Sequence, residues 1–119
     1  MTDKKDFDVR FELSGKVAKI FVQGPLKEEA GLDLRSIVER KIEEGFTRFV
    51  FDFGNSRAMS SPAVATVLDL AEMIVDSKSG KLIISGLTDL NMKVFEMVGI
   101  FMYAEACATH MEAEVRALM

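Results

Sequence analysis

Thr47-Arg48-Phe49-Val50-Phe51-Asp52-Phe53 is aromatic and almost continuously apolar, and Met59-Ser60-Ser61-Pro62-Ala63-Val64 follows it across the polar connection Gly54-Asn55-Ser56-Arg57. A near-continuous apolar run of this length is what a strand covered on both faces requires, so it is expected at the centre of a sheet. Serine followed by proline marks a helix start. The hydroxyl accepts from an amide that lacks a partner in the first turn, and proline has no such amide to satisfy. The helix is expected to run to about Ser77.

Upstream, Phe7-Asp8-Val9-Arg10-Phe11-Glu12-Leu13 alternates apolar and charged residues, which predicts a strand with Phe7, Val9, Phe11 and Leu13 on one face and a wet opposite face. Ser14-Gly15 turns the chain into a second strand, Lys16 to Val22, which ends at Gly24-Pro25 and completes an antiparallel hairpin. From Lys27 to Glu44 the residues Ala30, Leu34, Ile37, Val38 and Ile42 recur at helical spacing, and Gly45 supplies the stop.

Downstream, Lys81-Leu82-Ile83-Ile84-Ser85-Gly86 is a fourth strand. Thr88 caps a third helix whose core side is read as Leu90, Val94, Met97 and Val98, stopped at Gly99. A short fifth strand is expected around Phe101 to Ala104. Thr109-His110-Met111-Glu112 fits a capping box, with Met111, Val115 and Leu118 along one side of a terminal helix. A hairpin followed by alternating helices and strands predicts an α/β fold, a mixed four- to five-stranded sheet with about four packed helices. Residues 1–6 are read as a flexible N-terminus and residues 7–119 as one domain.

Composition narrows the function. At 119 residues, with 49% hydrophobic and 29% charged residues, the chain can build one core and is neither disordered nor fibrous. A net charge of -4 without a Lys/Arg cluster argues against direct nucleic-acid binding. The charged N-terminus has no signal-peptide core, and the longest apolar runs fall far short of a membrane span, so neither secretion nor membrane insertion is expected. The lone Cys107 fits a reducing compartment, and cytoplasm is the expected location.

Catalytic constellations are missing. One histidine and one cysteine make no spaced metal set and no triad, and neither a P-loop nor a GxGxxG pattern can be written, so no enzyme, cofactor or metal is expected. His110 reads as a surface residue. Asp69, Glu72 and Asp76 fall on the outer side of the second helix and read as a solvated stripe. On that helix Val64, Val67, Leu68, Ala71 and Val75 form the inward stripe. Ala63, Thr66, Leu70 and Met73 fall on the flank between core and solvent, a surface either for a partner or for a neighbouring helix. Ser60 precedes a helix N-terminus, where the macrodipole stabilises added negative charge, so it is either a plain cap or a phosphate acceptor. The loop Gly54 to Arg57 follows a central strand at its carboxyl end, where α/β sheets often bind small ligands, and a nucleotide or small-ligand sensor is a further reading.

The strand Phe49 to Phe53 followed by Met59-Ser60-Ser61-Pro62 resembles the STAS pattern of a strand, then Asp-Ser-Ser-Gly and a helix. Val94-Phe95-Glu96-Met97-Val98-Gly99-Ile100-Phe101 and Gly24-Pro25-Leu26 resemble two further segments of that family, so the likeness covers about residues 7 to 118. Met59 stands where the family usually has aspartate, Lys27 where an aspartate usually follows the glycine-x-leucine turn, and Pro62 where it has glycine. The resemblance, to the anti-sigma factor antagonist branch, implies a partner-switching regulator of transcription that binds a protein acting as both serine kinase and anti-sigma factor. It implies Ser60 as the phosphoacceptor, with Ser61 as the alternative, and a binding face of Met59, Ser60, Ser61, Ala63, Thr66, Leu70 and Met73. The alternative it leaves open is a non-phosphorylated STAS scaffold, or a subunit of a larger signalling or transport assembly. A weak homodimer is a further expectation.

Overall fold

The computed structural model describes residues 6–119, so the expected flexible N-terminus lies, except for Asp6, outside the described residues. Strands β1 (Asp8–Ser14) and β2 (Val17–Gln23) form the antiparallel hairpin, with Phe11 opposite Ile20. The chain then alternates through α1 (Glu28–Glu43), β3 (Arg48–Asn55), α2 (Ser61–Glu72), β4 (Lys81–Ser85), α3 (Asp89–Met97), β5 (Glu105–Cys107) and α4 (His110–Leu118). A π-helical turn, Met73–Ser77, extends α2 to the predicted end.

The sheet is mixed, with order β1-β2-β3-β4-β5 and every pair after the hairpin parallel. Because the parallel strands are added in one direction, three right-handed crossovers put α1, α2 and α3 on the same face. The other face is left to α4.

As expected, β3 is central and covered on both sides. Phe49, Phe51 and Phe53 point to the α1–α3 face, all fully buried, and stack edge to face at 6.5 and 6.4 Å, with Phe95 of α3 continuing the series at 5.9 Å. Val50 points the other way and packs with Val17, Ile83, Ala113 and Ala117 under α4. Alanines on the inner side let that helix lie close to the sheet.

Three expectations are corrected. The core side of α3 is Asn91 and Phe95, whereas Leu90, Met97 and Val98 are exposed. Asn91 is drawn inward because its side-chain amide donates to the Arg57 carbonyl at 2.8 Å, which rotates the helix about its axis and turns the aliphatic residues out. The fifth strand is Glu105–Cys107, because Ile100–Met102 forms a 3-10 turn that buries Ile100 instead. On β1, Phe11 and Leu13 are exposed at the sheet's edge, where only part of the strand is covered. His110 is half-buried, edge-on to Phe21 at 5.0 Å.

Candidate functional site

The site is built where β3 hands over to α2. Asp52, on the α4 face of β3, accepts from the Ser85 hydroxyl at 2.7 Å and from the Gly54 amide at 3.0 Å, pinning the start of the connection. Ser56 is buried, the Asn55 carbonyl accepts from the Gly24 amide at 2.9 Å, and the Arg57 carbonyl accepts from Asn91. The backbone of the Gly54 to Arg57 loop is thus committed to packing.

Beyond it the chain runs beside the Gly24-Pro25-Leu26 turn. The Leu26 amide donates to the Ala58 carbonyl at 2.8 Å and the Ser60 amide donates to the Leu26 carbonyl at 2.9 Å, a one-residue parallel bridge with Met59. Leu26 is fully buried, so this bridge fixes Met59 and Ser60 to the core. Ser60 is extended (φ -89°, ψ 157°) and caps α2, its hydroxyl oxygen accepting from the Ala63 amide at 3.3 Å. Proline follows at the second helical position.

Ser60 and Ser61 line different hollows. Ser60 and Pro62 share an open hollow of about 500 Å³ with Pro25, Lys27 and Glu28. Ser61 and Met59 line a narrower groove of about 290 Å³ between α2 and α3, floored by Val64 and Leu68 and walled by Val94 and Val98. Ser60 and Met59 are half-buried, while Ser61 is exposed.

The remaining predicted contact residues divide. Ala63 and Leu70 are fully buried, which removes them from the predicted binding face and bears out the other reading of this flank, packing on a neighbouring helix. The crossover that places α1 beside α2 covers it: Ala63 and Thr66 lie against Gly31 of α1, and Arg35 of α1 pairs with Asp69 at 3.2 Å. Thr66 is half-buried with its hydroxyl donating to the Pro62 carbonyl at 3.2 Å, and Met73 packs partly buried against the core. Residues that periodicity assigned to the core supply the apolar surface instead. Leu90, Met97 and Val98 are exposed on or just after α3, the helix that walls the groove. No local sequence signal turns this helix correctly, because a polar Asn91 reads as solvent-facing and only its bond to the Arg57 carbonyl draws it inward.

The acidic stripe Asp69, Glu72 and Asp76 is exposed, as expected. Glu72, then burial, then Asp76 push the Tyr103 phenol up from its ordinary value. Burial, the largest cause, raises the Cys107 thiol and so suppresses its thiolate. Among the described residues no cluster of three His, Cys, Asp or Glu could hold a metal ion, and no helix is long and apolar enough to cross a membrane.

A hairpin edge, sequential parallel strands, three helices on one face and a capped serine after the central strand together specify the architecture. The chain has a SpoIIAA-like fold. Superposition on the anti-sigma factor antagonist SpoIIAA in its unphosphorylated form gives a TM-score of 0.76 at 22% identity, over 93% of this chain and 98% of that one. The phosphorylated form of SpoIIAA, a Bacillus cell fate determinant, gives 0.74 at 23% identity over 92% and 98%. TM1081 of Thermotoga maritima, described as a candidate anti-sigma factor antagonist, gives 0.82 at 12% identity over 93% and 95%. No protein-family model and no curated protein matches the sequence.

Proposed function

We propose that this chain is an anti-sigma factor antagonist-like regulator in the cytoplasm, which binds a protein that is both serine kinase and anti-sigma factor and is released when Ser60 is phosphorylated. The supporting observation is the setting of Ser60: a half-buried cap that lines an open hollow, one residue from an apolar groove. SpoIIAA, whose fold the chain shares, exists in phosphorylated and unphosphorylated forms.

The partner supplies ATP. The Ser60 oxygen attacks the γ-phosphorus, the bond to the β-phosphate bridging oxygen breaks, ADP leaves, and the hydroxyl proton passes to a base of the kinase. The product carries about -1.5 to -2 charge beside the α2 N-terminus, where the helix dipole tolerates it. The same charge stands next to Met59 and the groove, where it opposes an apolar partner surface. Met59, Ser60 and Ser61 remain the contact residues of the predicted face, joined by Val94 and Val98 across the groove. Ser61 is the alternative acceptor.

The test is an affinity capture from native cytoplasm with wild type and Ser60→Glu, with intact-mass measurement of Ser60. A kinase-like partner held by wild type, lost by Ser60→Glu, and adding phosphate only when Ser60 is present is the expected outcome. Equal capture by both proteins with Ser60 unmodified refutes phosphate control. It would favour a second reading, a constitutive scaffold or subunit of a larger assembly, which Lys27 supports because it lines the same hollow as Ser60 and would partly neutralise a phosphoryl group there.

A further inference from the structure

Helix α4 turns its small residues inward and its large apolar residues outward. Met111, Val115, Leu118 and Met119 are 66, 61, 53 and 83% exposed, while Ala113 and Ala117 are fully buried on the sheet. At about 100° per residue Met111, Val115 and Leu118 occupy one arc of roughly 60° near the outward direction, on the sheet face opposite Ser60, and Met119 follows at the helix end.

We propose that this stripe is a self-association face, on which a second copy of the chain packs its own α4 antiparallel about a twofold axis. The argument for a second copy lies in the charges bordering the stripe. Glu112 and Arg116 flank it on one side, one turn apart. Two such helices laid antiparallel, crossing at residue 114, bring Glu112 of each beside Arg116 of the other and oppose their dipoles. Laid parallel about a twofold axis, the two charged edges fall on opposite sides of the contact, and neither Glu112 nor Arg116 meets its counterpart. The edge is complementary to itself only when reversed.

Within one chain Arg116 makes a long contact to Glu105, 3.4 Å between half-exposed groups, which can be exchanged for an interchain pair at small cost. The helix has nine residues, a length of about 14 Å, and its stripe falls short of the roughly 800 Å² per partner of a standard stable interface. The dimer is therefore weak and concentration-dependent. It leaves the α2 and α3 groove free, so it stands or falls independently of the proposed partner switching.

The experiment is analytical ultracentrifugation from micromolar to millimolar protein, with far-ultraviolet circular dichroism as a folding check. Wild type is expected to pass from monomer to dimer across the range, Val115→Glu to stay monomeric, and Glu112→Arg alone to weaken association several-fold. The double variant Glu112→Arg with Arg116→Glu restores the antiparallel pairs and should recover wild-type association. A wild type that stays monomeric throughout leaves the stripe to a different protein and overturns the proposal. So does association that survives Val115→Glu, which would place the contact on the Leu90 and Met97 surface. Failure of the double variant to recover refutes the antiparallel geometry.

Discussion

The ammonium of Lys19, on a side chain only 6% exposed beneath α4, lies 2.8 Å from the Glu114 carboxylate, whose other oxygen accepts from Ser14 at 2.6 Å. This one contact ties the first hairpin to the last helix. The hydrogen bond from Lys19, then that from Ser14, hold the Glu114 carboxyl below its ordinary value against the opposing effect of burial. The charges of Lys19 and of His110 add to the same direction. Glu114→Gln leaves a buried cation without its counter-charge and is expected to cost about 3 kcal/mol at neutral pH, read from urea unfolding.

The same pair sets a pH dependence. A carboxyl lowered on folding contributes stability that is fully present above its unfolded value and is lost as pH falls through the folded one. The stability gap between wild type and Glu114→Gln should therefore be constant near neutrality and close progressively below the ordinary glutamate range. A gap that persists unchanged into strong acid would exclude the ion pair as its source.

Burial reverses the roles that periodicity gave to two aliphatic residues. Leu70 is fully buried and Met97 is 85% exposed. Leu70→Ala should lower unfolding free energy by about 3 kcal/mol, and Met97→Ala should stay within about 0.5 kcal/mol of wild type, compared by denaturant midpoints at a common slope.

Ser60 has a structural duty that can be separated from a regulatory one. Ser60→Ala removes the α2 cap and should cost about 1 kcal/mol, whereas Ser60→Asp offers a capping carboxylate and should melt close to wild type. Loss of partner capture by a Ser60→Asp protein of wild-type melting temperature would then report charge at the docking face. A Ser60→Asp protein that melts like Ser60→Ala would show that carboxylate cannot serve as the cap here.

Gly86 follows β4 with φ +77°, and a Cβ there would stand 2.6 Å from the Gly54 amide nitrogen. Backbone strain and collision act together, and the collision falls on the connection that Asp52 pins. Gly86→Ala is expected to lose about 2–3 kcal/mol, visible as a lower thermal midpoint; an unshifted midpoint would mean that the connection yields freely.

The fold could be read from the sequence because its long elements carry strong periodic signals. The aromatic run of β3, the stripe of α1 and the Ser-Pro start of α2 each have one physical solution. The helices α3 and α4 are nine residues long, and two turns of mixed residues permit more than one inward side. What settles α3 is a hydrogen bond from Asn91 to a carbonyl 34 residues away, which no local pattern contains. The Ser60 cap was legible for the same reason as the α2 start. The burial of Ala63 and Leu70 was not, because it depends on where α1 lands beside α2.

Each strand of the sheet pairs with the one made just before it, from β1 through β5. A chain leaving the ribosome can thus extend its sheet strand by strand, without holding an unpaired strand open for a distant partner. The exception is α4, whose contacts to Ser14 and Lys19 span 100 and 95 residues. Until that helix returns, Val17, Val50 and Ile83 have no cover, so α4 closes over strands made well before it and the domain depends on both the hairpin and this helix.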